Sequence, residues 1–528
     1  MTASYVNARR PSNRRGSSRG REARYICRMI DQATARLRLS KSRYLDGLQC
    51  HKQLWWRVHD AEAPELVPDA ALRNLFAQGR DVGVRAREFV PGGELIDLPF
   101  SELDNKVAAT REALRRDPPA IYEAWFLADD TYVGVDILER LPRGYGVIEV
   151  KTSNSLKPEH LPDVAVQVHV LRRSGLAVER AEVMHLNPKC RYPDLANLFV
   201  REDVTTLVEA VLLGVPDELA AQLRALAGPL PDVAIGDHCT RPHDCPFLER
   251  CWPKLPDHHI SSLYRIERRK VLEYEADGYA TIYDLPSDLE LSAIHARQVR
   301  AIQRGMMVVE PSLRDVLTRF VSPLAFLDFE TVSLAIPRWP GCRPWQLVPV
   351  QLSCHVEQQG RGLVHHAWLA DGPEDPRPAL AQALVEACAG ARRVVAYYAS
   401  FERECIRQLK EAVPQLAKEL ERIEKRLVDL LPAVRRYVYH PDFAGSFSIK
   451  KTLPALVPGL SYDDLVIRDG ETATVELMRL LFEGDRLAAG EKADLRQALL
   501  RYCERDSWAM VQMLERLRRL VLDQLELF

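Results

Sequence analysis

Apolar and polar residues alternate with a period of two through 121–127, 131–138 and 145–152, the pattern of strands that bury one face. Upstream, Tyr44, Leu45, Leu48 and Leu54-Trp55-Trp56 recur at helical spacing behind Ser40, which predicts a helix capped by Ser40 with Cys50 inside it. A second helical stretch follows over Ala70–Phe89. Beyond the strands the pattern predicts a helix near 160–173 that carries Gln167, then a strand near 180–186. Helices against a small sheet make a mixed α/β core. Residues 256–320 read as helical, with Gly278–Pro286 joining two helical patterns. After Pro323 the pattern restarts with a strand, Leu324–Val332, and runs as α/β to the end. No repeat aligns the two halves, so they read as different domains.

A chain of 528 residues is too long for one core and predicts two or three domains. Its net charge is −2, so any contact with nucleic acid has to come from local basic patches. No apolar run reaches membrane-spanning length and no signal-peptide pattern opens the chain; a cytoplasmic protein without a membrane partner is expected. In that compartment the eleven cysteines read as thiolate ligands and core residues rather than disulfides. Residues 1–28 hold eight arginines and one acid among Ser, Gly, Asn and Pro. That composition predicts a disordered basic arm over 1–36, or a working protein that opens at Met29.

Chemistry concentrates in two places. Asp136 precedes Glu149-Val150-Lys151 by a short gap, and the strand period puts Glu149 and Lys151 on one face. Asp136 and Glu149 would share a hard cation through oxygen while Lys151 stands beside an attacked phosphate. Cys50 lies upstream of this motif, and Cys239-x₅-Cys245-x₅-Cys251 lies downstream. Four thiolates suit tetrahedral zinc or a four-iron cluster, and His238 or His243 could replace one of them.

The one-plus-three cysteine frame around Asp…Glu-x-Lys resembles the iron–sulfur nucleases of the RecB-like (PD-(D/E)XK) superfamily, such as CRISPR-associated iron–sulfur exonucleases, over roughly 37–255. The resemblance implies a restriction-endonuclease-like fold, with Asp136, Glu149 and Lys151 as the catalytic set, Gln167 as the helix glutamine and Glu123 as an accessory. It implies a 4Fe-4S cluster on Cys50, Cys239, Cys245 and Cys251, with zinc as the alternative, and Mg²⁺ or Mn²⁺ at the acids. Two positions depart from the family: its early histidine is missing from Gly79–Arg85, and Leu171 stands where it has a tyrosine. The remaining cysteines, Cys27, Cys190, Cys342, Cys354, Cys388, Cys405 and Cys503, are expected to be core thiols.

In the second half, Asp328 and Glu330 stand at i and i+2 on an apolar strand, where a cation is needed to offset their burial. Arg393–Tyr398 predicts another strand, after which Ser400 would cap a helix bearing Glu402. Tyr502 and Asp506 fall at i and i+4 of a late helix. Together these resemble the tyrosine-type DEDD (DnaQ-like) exonucleases over about 322–520. The resemblance implies an RNase H-like fold in which Asp328, Glu330, Glu402 and Asp506 hold two divalent metals and Tyr502 orients the attacking water, with Asp429 as an accessory acid. Tyr398 and Glu402 depart from the Asn and Asp usual at the second motif.

The expected architecture is thus a basic arm (1–36), a RecB-like nuclease with a cysteine cluster (37–255), a helical connector resembling a helix-hairpin-helix (256–320) and a DnaQ-like exonuclease (321–528). Arg297, Arg300 and Arg304 on the connector, and Lys450 and Lys451 in the second domain, are the expected contacts to a nucleic-acid backbone. The whole resembles an uncharacterised bacterial fusion family. It implies a metal-dependent nuclease acting on DNA, single-stranded or at ends, in repair or defence against foreign DNA. A ribonuclease, or a nucleic-acid-binding scaffold with a decayed site, are the alternatives.

Overall fold

A computed structural model describes residues 37–99 and 101–525; the predicted basic arm lies outside them. The first sheet has seven strands. Its spine runs Glu94–Leu95, Ala120–Ala128, Thr131–Leu141, Gly144–Lys151, Val178–Leu186 and Phe199–Asp203, and Leu39–Ser40 pairs with Thr131–Leu141. Antiparallel and parallel pairings mix: Gly144–Lys151 is antiparallel to Thr131–Leu141 and parallel to Val178–Leu186. Burial alternates residue by residue at the start of Thr131–Leu141, as the period of two predicts. The helix His160–Arg173 lies on the sheet with Val164, Ala165, Val168 and Leu171 buried among strand residues such as Val135 and Val147.

The predicted N-terminal helix is two helices. Ser40 caps the first, Lys41–Gln49, by accepting the Arg43 amide. Cys50 then adopts an extended backbone, with φ −165° and ψ 119°, and His51–His59 follows. Cys50 therefore stands at the corner between two helices rather than within one.

The second sheet has five strands in the order Gly362–Leu369, Leu347–Gln358, Leu324–Ser333, Arg393–Ala396, Leu427–Asp429. The first two pairings are antiparallel and the last two parallel. A 37-residue helix, Ala489–Leu525, packs on the strand Leu324–Ser333 and its neighbour. The helix after Arg393–Ala396 begins at Ser400, with Ala399 at the cap and no side-chain cap bond, so Ser400 is a helical residue and not the cap expected of it.

Residues 256–320 do not stand apart as a connector. Ile260, Leu263, Tyr274, Ile282, Val299, Leu313 and Phe320 share one apolar core with Leu324, Val395, Leu453 and Leu514. The turn that resembled a helix-hairpin-helix spends its amides internally. The Ala280 and Thr281 amides donate to the Asp284 carboxylate, Ile282 donates to the His258 carbonyl, and Tyr279 to the Tyr274 carbonyl. Those N–H groups are not available to a phosphate.

The halves meet directly. The Gln78 side-chain oxygen accepts the Ala335 amide at 2.7 Å, the Trp345 indole donates to the Thr152 carbonyl at 2.5 Å, and Tyr192 and residues 341–342 exchange backbone bonds. Val82, Leu186, Cys190, Leu198 and Ala335 form an apolar cluster between the halves.

Candidate active sites and a thiol cavity

In the first half, strand register does most of the assembly. Ile137 pairs with Ile148, so the next step brings Asp136 opposite Glu149. An Asp136 carboxylate oxygen accepts the Val150 amide at 2.8 Å. On the other neighbouring strand, pairs 122/137 and 124/135 bracket Glu123, whose φ of 56° is left-handed, a conformation a non-glycine residue adopts only where its surroundings impose it. Glu123 also pairs with Arg87 at 2.9 Å.

Glu149 is buried and saturated with donors. Lys151 Nζ lies 2.9 Å away on the same strand face, Gln167 Nε2 donates at 2.8 Å from the helix, and Lys41 Nζ donates at 2.8 Å. Both lysines also pair with the buried Asp163, which lies one helical turn before Gln167. Burial would raise the Glu149 carboxyl, but Lys151 and Lys41 hold it well below the usual range. Burial and then the Glu149 charge push Asp136 up to about 7. Burial, reinforced by the Lys151 charge, lowers His160 to about 4. Among the described residues, the buried Gln167 side-chain oxygen has no hydrogen-bond partner. A cleft of about 850 Å³ opens beside the group, lined by Lys151, Lys157, Asp163, Arg241, His243 and, from the other half, Trp345. The structure thus brings Asp136, Glu149, Lys151 and Gln167 together. Lys41 and Asp163 are additional members. Asp163 carries the helical i, i+4 spacing to Gln167 as its one sequence signal, and Lys41 carries none.

Cys50, Cys239, Cys245 and Cys251 line one small cavity with Trp56, Phe247 and Trp252. All four are free thiols, and the Gly236 amide points at Cys239 Sγ from 3.5 Å. Burial, with the three neighbouring thiols adding, pushes Cys245 up to about 11. A thiol so raised is held neutral unless a cation replaces its proton. His238 Nε2 sits 3.7 Å from Cys239 Sγ, while His243 faces the neighbouring cleft.

In the second half, Asp328 and Glu330 come from the central strand, Glu402 from the first turn of the helix Ser400–Ala412, and Asp506 from the long C-terminal helix. Burial raises all four. Asp328 goes far above its usual range, with the other three carboxyl groups adding to the effect, and Glu330 and Glu402 rise to about 8. Asp506 rises to about 6, held back by Tyr462, whose hydroxyl donates to it. One Glu402 carboxylate oxygen is buried with no hydrogen-bond partner among the described residues. Four converging acids with an orphaned oxygen are a donor set for hard divalent cations.

Lys450 is placed differently from the surface role expected of it. Its ammonium donates to the Tyr502 hydroxyl at 2.8 Å and lies 4.9 Å from that ring centroid, inside the site. Lys451 is exposed. Cys503, expected to be a plain core thiol, donates to an Asp328 carboxylate oxygen at 3.3 Å. Asp429 accepts the Tyr398 and Leu431 amides and shapes the loop beside Glu402. Tyr398 is exposed at the mouth with φ 76°. Arg297 is corrected: it is buried and donates to the Arg435 carbonyl, so it does not share a surface with the exposed Arg300 and Arg304. Arg300 pairs with Glu310.

Residues 325–448 match a family described as a domain of unknown function, DUF2779. The match takes in Asp328, Glu330, Glu402 and Asp429 and ends before Lys450, Tyr502 and Asp506. A search of curated proteins finds no match. Among the described residues, no helix is long and apolar enough to cross a membrane.

Proposed function

We propose that this chain is a metal-dependent nuclease with two sites, a restriction-endonuclease-like one around Asp136, Glu149 and Lys151 and an RNase H-like one around Asp328, Glu330, Glu402 and Asp506. The observation that carries the reading is the second site. Four carboxyl groups from one strand and two helices converge, Glu402 and Asp506 buried and Asp328 and Glu330 half-buried, with little but Lys450 to balance them. Such a cluster costs stability unless divalent cations join it. The strand order, with an antiparallel hairpin on one side of the Asp328 strand and parallel strands on the other, is the order that an RNase H-like domain requires.

Mg²⁺ or Mn²⁺ bound to these acids would supply charge for the attacked phosphate and lower the pKa of an attacking water. The chain's own residues do the rest. Lys450 donates to the Tyr502 oxygen, so the Tyr502 proton is free to donate outward and orient a water. Tyr462 fixes one Asp506 oxygen and so aims the other. In the first site, Gln167 holds Glu149 in place, and Lys151 stands where it would neutralise a phosphate oxygen once it leaves Asp163. The four thiols would hold a 4Fe-4S cluster that ties the Cys50 corner to 239–251, which is the family's arrangement.

DNA, cut from ends or single strands, is the proposed substrate, and the exposed Tyr398 offers a ring for an unpaired base. The test is product analysis on labelled single- and double-stranded DNA and RNA, with Mg²⁺, Mn²⁺ or EDTA. Metal-dependent release of nucleotides is expected. In a Lys151→Ala background, which silences the first site, it should fall by about a hundredfold on adding Tyr502→Phe, the loss of one positioned proton donor, and vanish on adding Asp328→Ala instead. Unchanged products in that double variant would sink the reading.

A further inference from the structure

On the strand Leu347–Gln358 the period of two that puts Ser353 opposite Asp328 also puts His355 on the same face. His355 is paired across the hairpin with His365. Their rings stack with centroids 4.4 Å apart. The C-terminal helix crosses this face and brings Glu504 to within 3.6 Å of His365 Nδ1. One potential ligand atom from each of the three residues lies within 4.8 Å of the others.

The imidazoles are held from behind. His355 Nδ1 meets the Ser507 hydroxyl at 2.9 Å, His365 Nε2 meets the Ser353 hydroxyl at 2.9 Å, and the two hydroxyls join at 2.7 Å. This leaves Nδ1 of His365 turned to Glu504 and Nε2 of His355 without a hydrogen-bond partner among the described residues, although His355 is only 6% exposed. His355 and Glu504 line a groove of about 570 Å³ with Arg501, Arg505 and Trp508. An imidazole anchored through one nitrogen by a polar neighbour, with the other nitrogen free, is the arrangement of a metal-ligating histidine.

We propose that His355, His365 and Glu504 form a transition-metal site, separate from the carboxylate quartet, that takes Zn²⁺. Two imidazoles and one carboxylate select zinc-like ions over Mg²⁺. Metal–ligand bonds of about 2.0–2.2 Å place tetrahedral ligands about 3.4 Å apart, a contraction that the part-exposed His365 and Glu504 are free to make. Three protein ligands leave a fourth position open toward the groove. Because Ser507 follows Asp506 directly, the bound ion would brace the C-terminal helix against the hairpin beside the acids.

Co²⁺ titration of the full chain, followed by visible absorption, tests this. Besides any thiolate charge-transfer absorption from the cysteine cavity, wild type should develop ligand-field bands of a nitrogen- and oxygen-ligated ion, and Zn²⁺ should displace them. His365→Ala should lose the bands, and Ser353→Ala should weaken binding by about 10–100-fold, the usual loss when a ligand's hydrogen-bonding partner is removed. Should His365→Ala not fold by circular dichroism, Glu504→Gln, an exposed change, carries the same expectation of altered bands and weaker binding. Asp328→Asn should keep the bands. Their loss in Asp328→Asn, or unchanged bands and affinity in both His365→Ala and Glu504→Gln, would overturn the proposal, and neither result bears on nuclease activity.

Discussion

Lys41 stands 108 residues before the Glu149 carboxylate it meets, and nothing in its local sequence marks it. It is delivered by the Ser40 cap, which starts the helix, and by the pairing of Leu39–Ser40 with the strand of Asp136. Lys41→Met removes a cation from two acids that are almost wholly buried. It should destabilise the protein by about 3 kcal/mol, the low end for breaking a buried pair, because the lysine itself stays one-fifth exposed. Denaturant unfolding checks this, and Mn²⁺ should recover part of the loss if a cation at Glu149 substitutes for the ammonium. The second site gives a pH prediction. Glu330 and Glu402, raised to about 8 when folded, keep protons that the unfolded chain releases near its ordinary 4.5. The folded state then binds more protons than the unfolded one between these values, so stability falls as pH rises from about 5 to 8. Melting temperatures in EDTA should decline across that window, and Mg²⁺ should flatten the decline; a flat EDTA profile would mean that these acids are not raised. Glu149 and Lys151 were legible because the strand period puts them on one face, Asp136 by its short gap to them, and Gln167 only through the family resemblance. Lys41, Tyr462 and the inward turn of Lys450 were not, since tertiary packing alone brings them in.

The strands over 120–151 and 178–186, the strand at 324–333 and the helices over 70–87 and 160–173 could be read from the sequence to within a few residues, because burial of one face writes its period into the chain. The corner at Cys50 could not. Neither glycine nor proline marks it, and the apolar spacing continues through it from Leu48 to Leu54. The extended backbone at that one residue turns the second helix, His51–His59, and carries the Cys50 thiol to the cavity of Cys239, Cys245 and Cys251. If that cavity holds a four-iron cluster, anaerobic protein should be brown, and Cys245→Ala should be colourless and melt well below wild type. Stoichiometric zinc in colourless wild-type protein would replace iron while keeping the ligand set. The turn at Gly278–Pro286 resembles a phosphate-binding hairpin for a different reason. Composition shows where a turn lies but not whether its amides are already taken, and here Asp284 takes two of them.

The boundary between halves also reads differently in three dimensions. Because 260–320 shares the core of the second sheet, a fragment cut at 322 would expose Leu324, Val395 and their neighbours. A fragment from about 256 should fold and bind Mg²⁺ where one from 322 should not, as a thermal melt with and without the ion will show. The contacts through Gln78, Trp345 and the Val82–Ala335 cluster join both units, so calorimetry should give one main transition. Trp345→Ala, which removes a part-buried indole and its bond to Thr152, should split it in two and cost about 3 kcal/mol. The thiol cavity has a consequence in time as well as in space. Its first thiol leaves the ribosome long before its last: at about 5–20 residues per second, Cys251 follows Cys50 by roughly 10–40 s. For that interval the nascent chain carries the Cys50 thiol without its full set of partners and an unclosed first unit. If the cavity holds a metal, oxidative stress during translation, rather than after it, should then be what keeps it out, and a brief oxidant pulse given to growing cells should harm newly made chains while sparing those already folded.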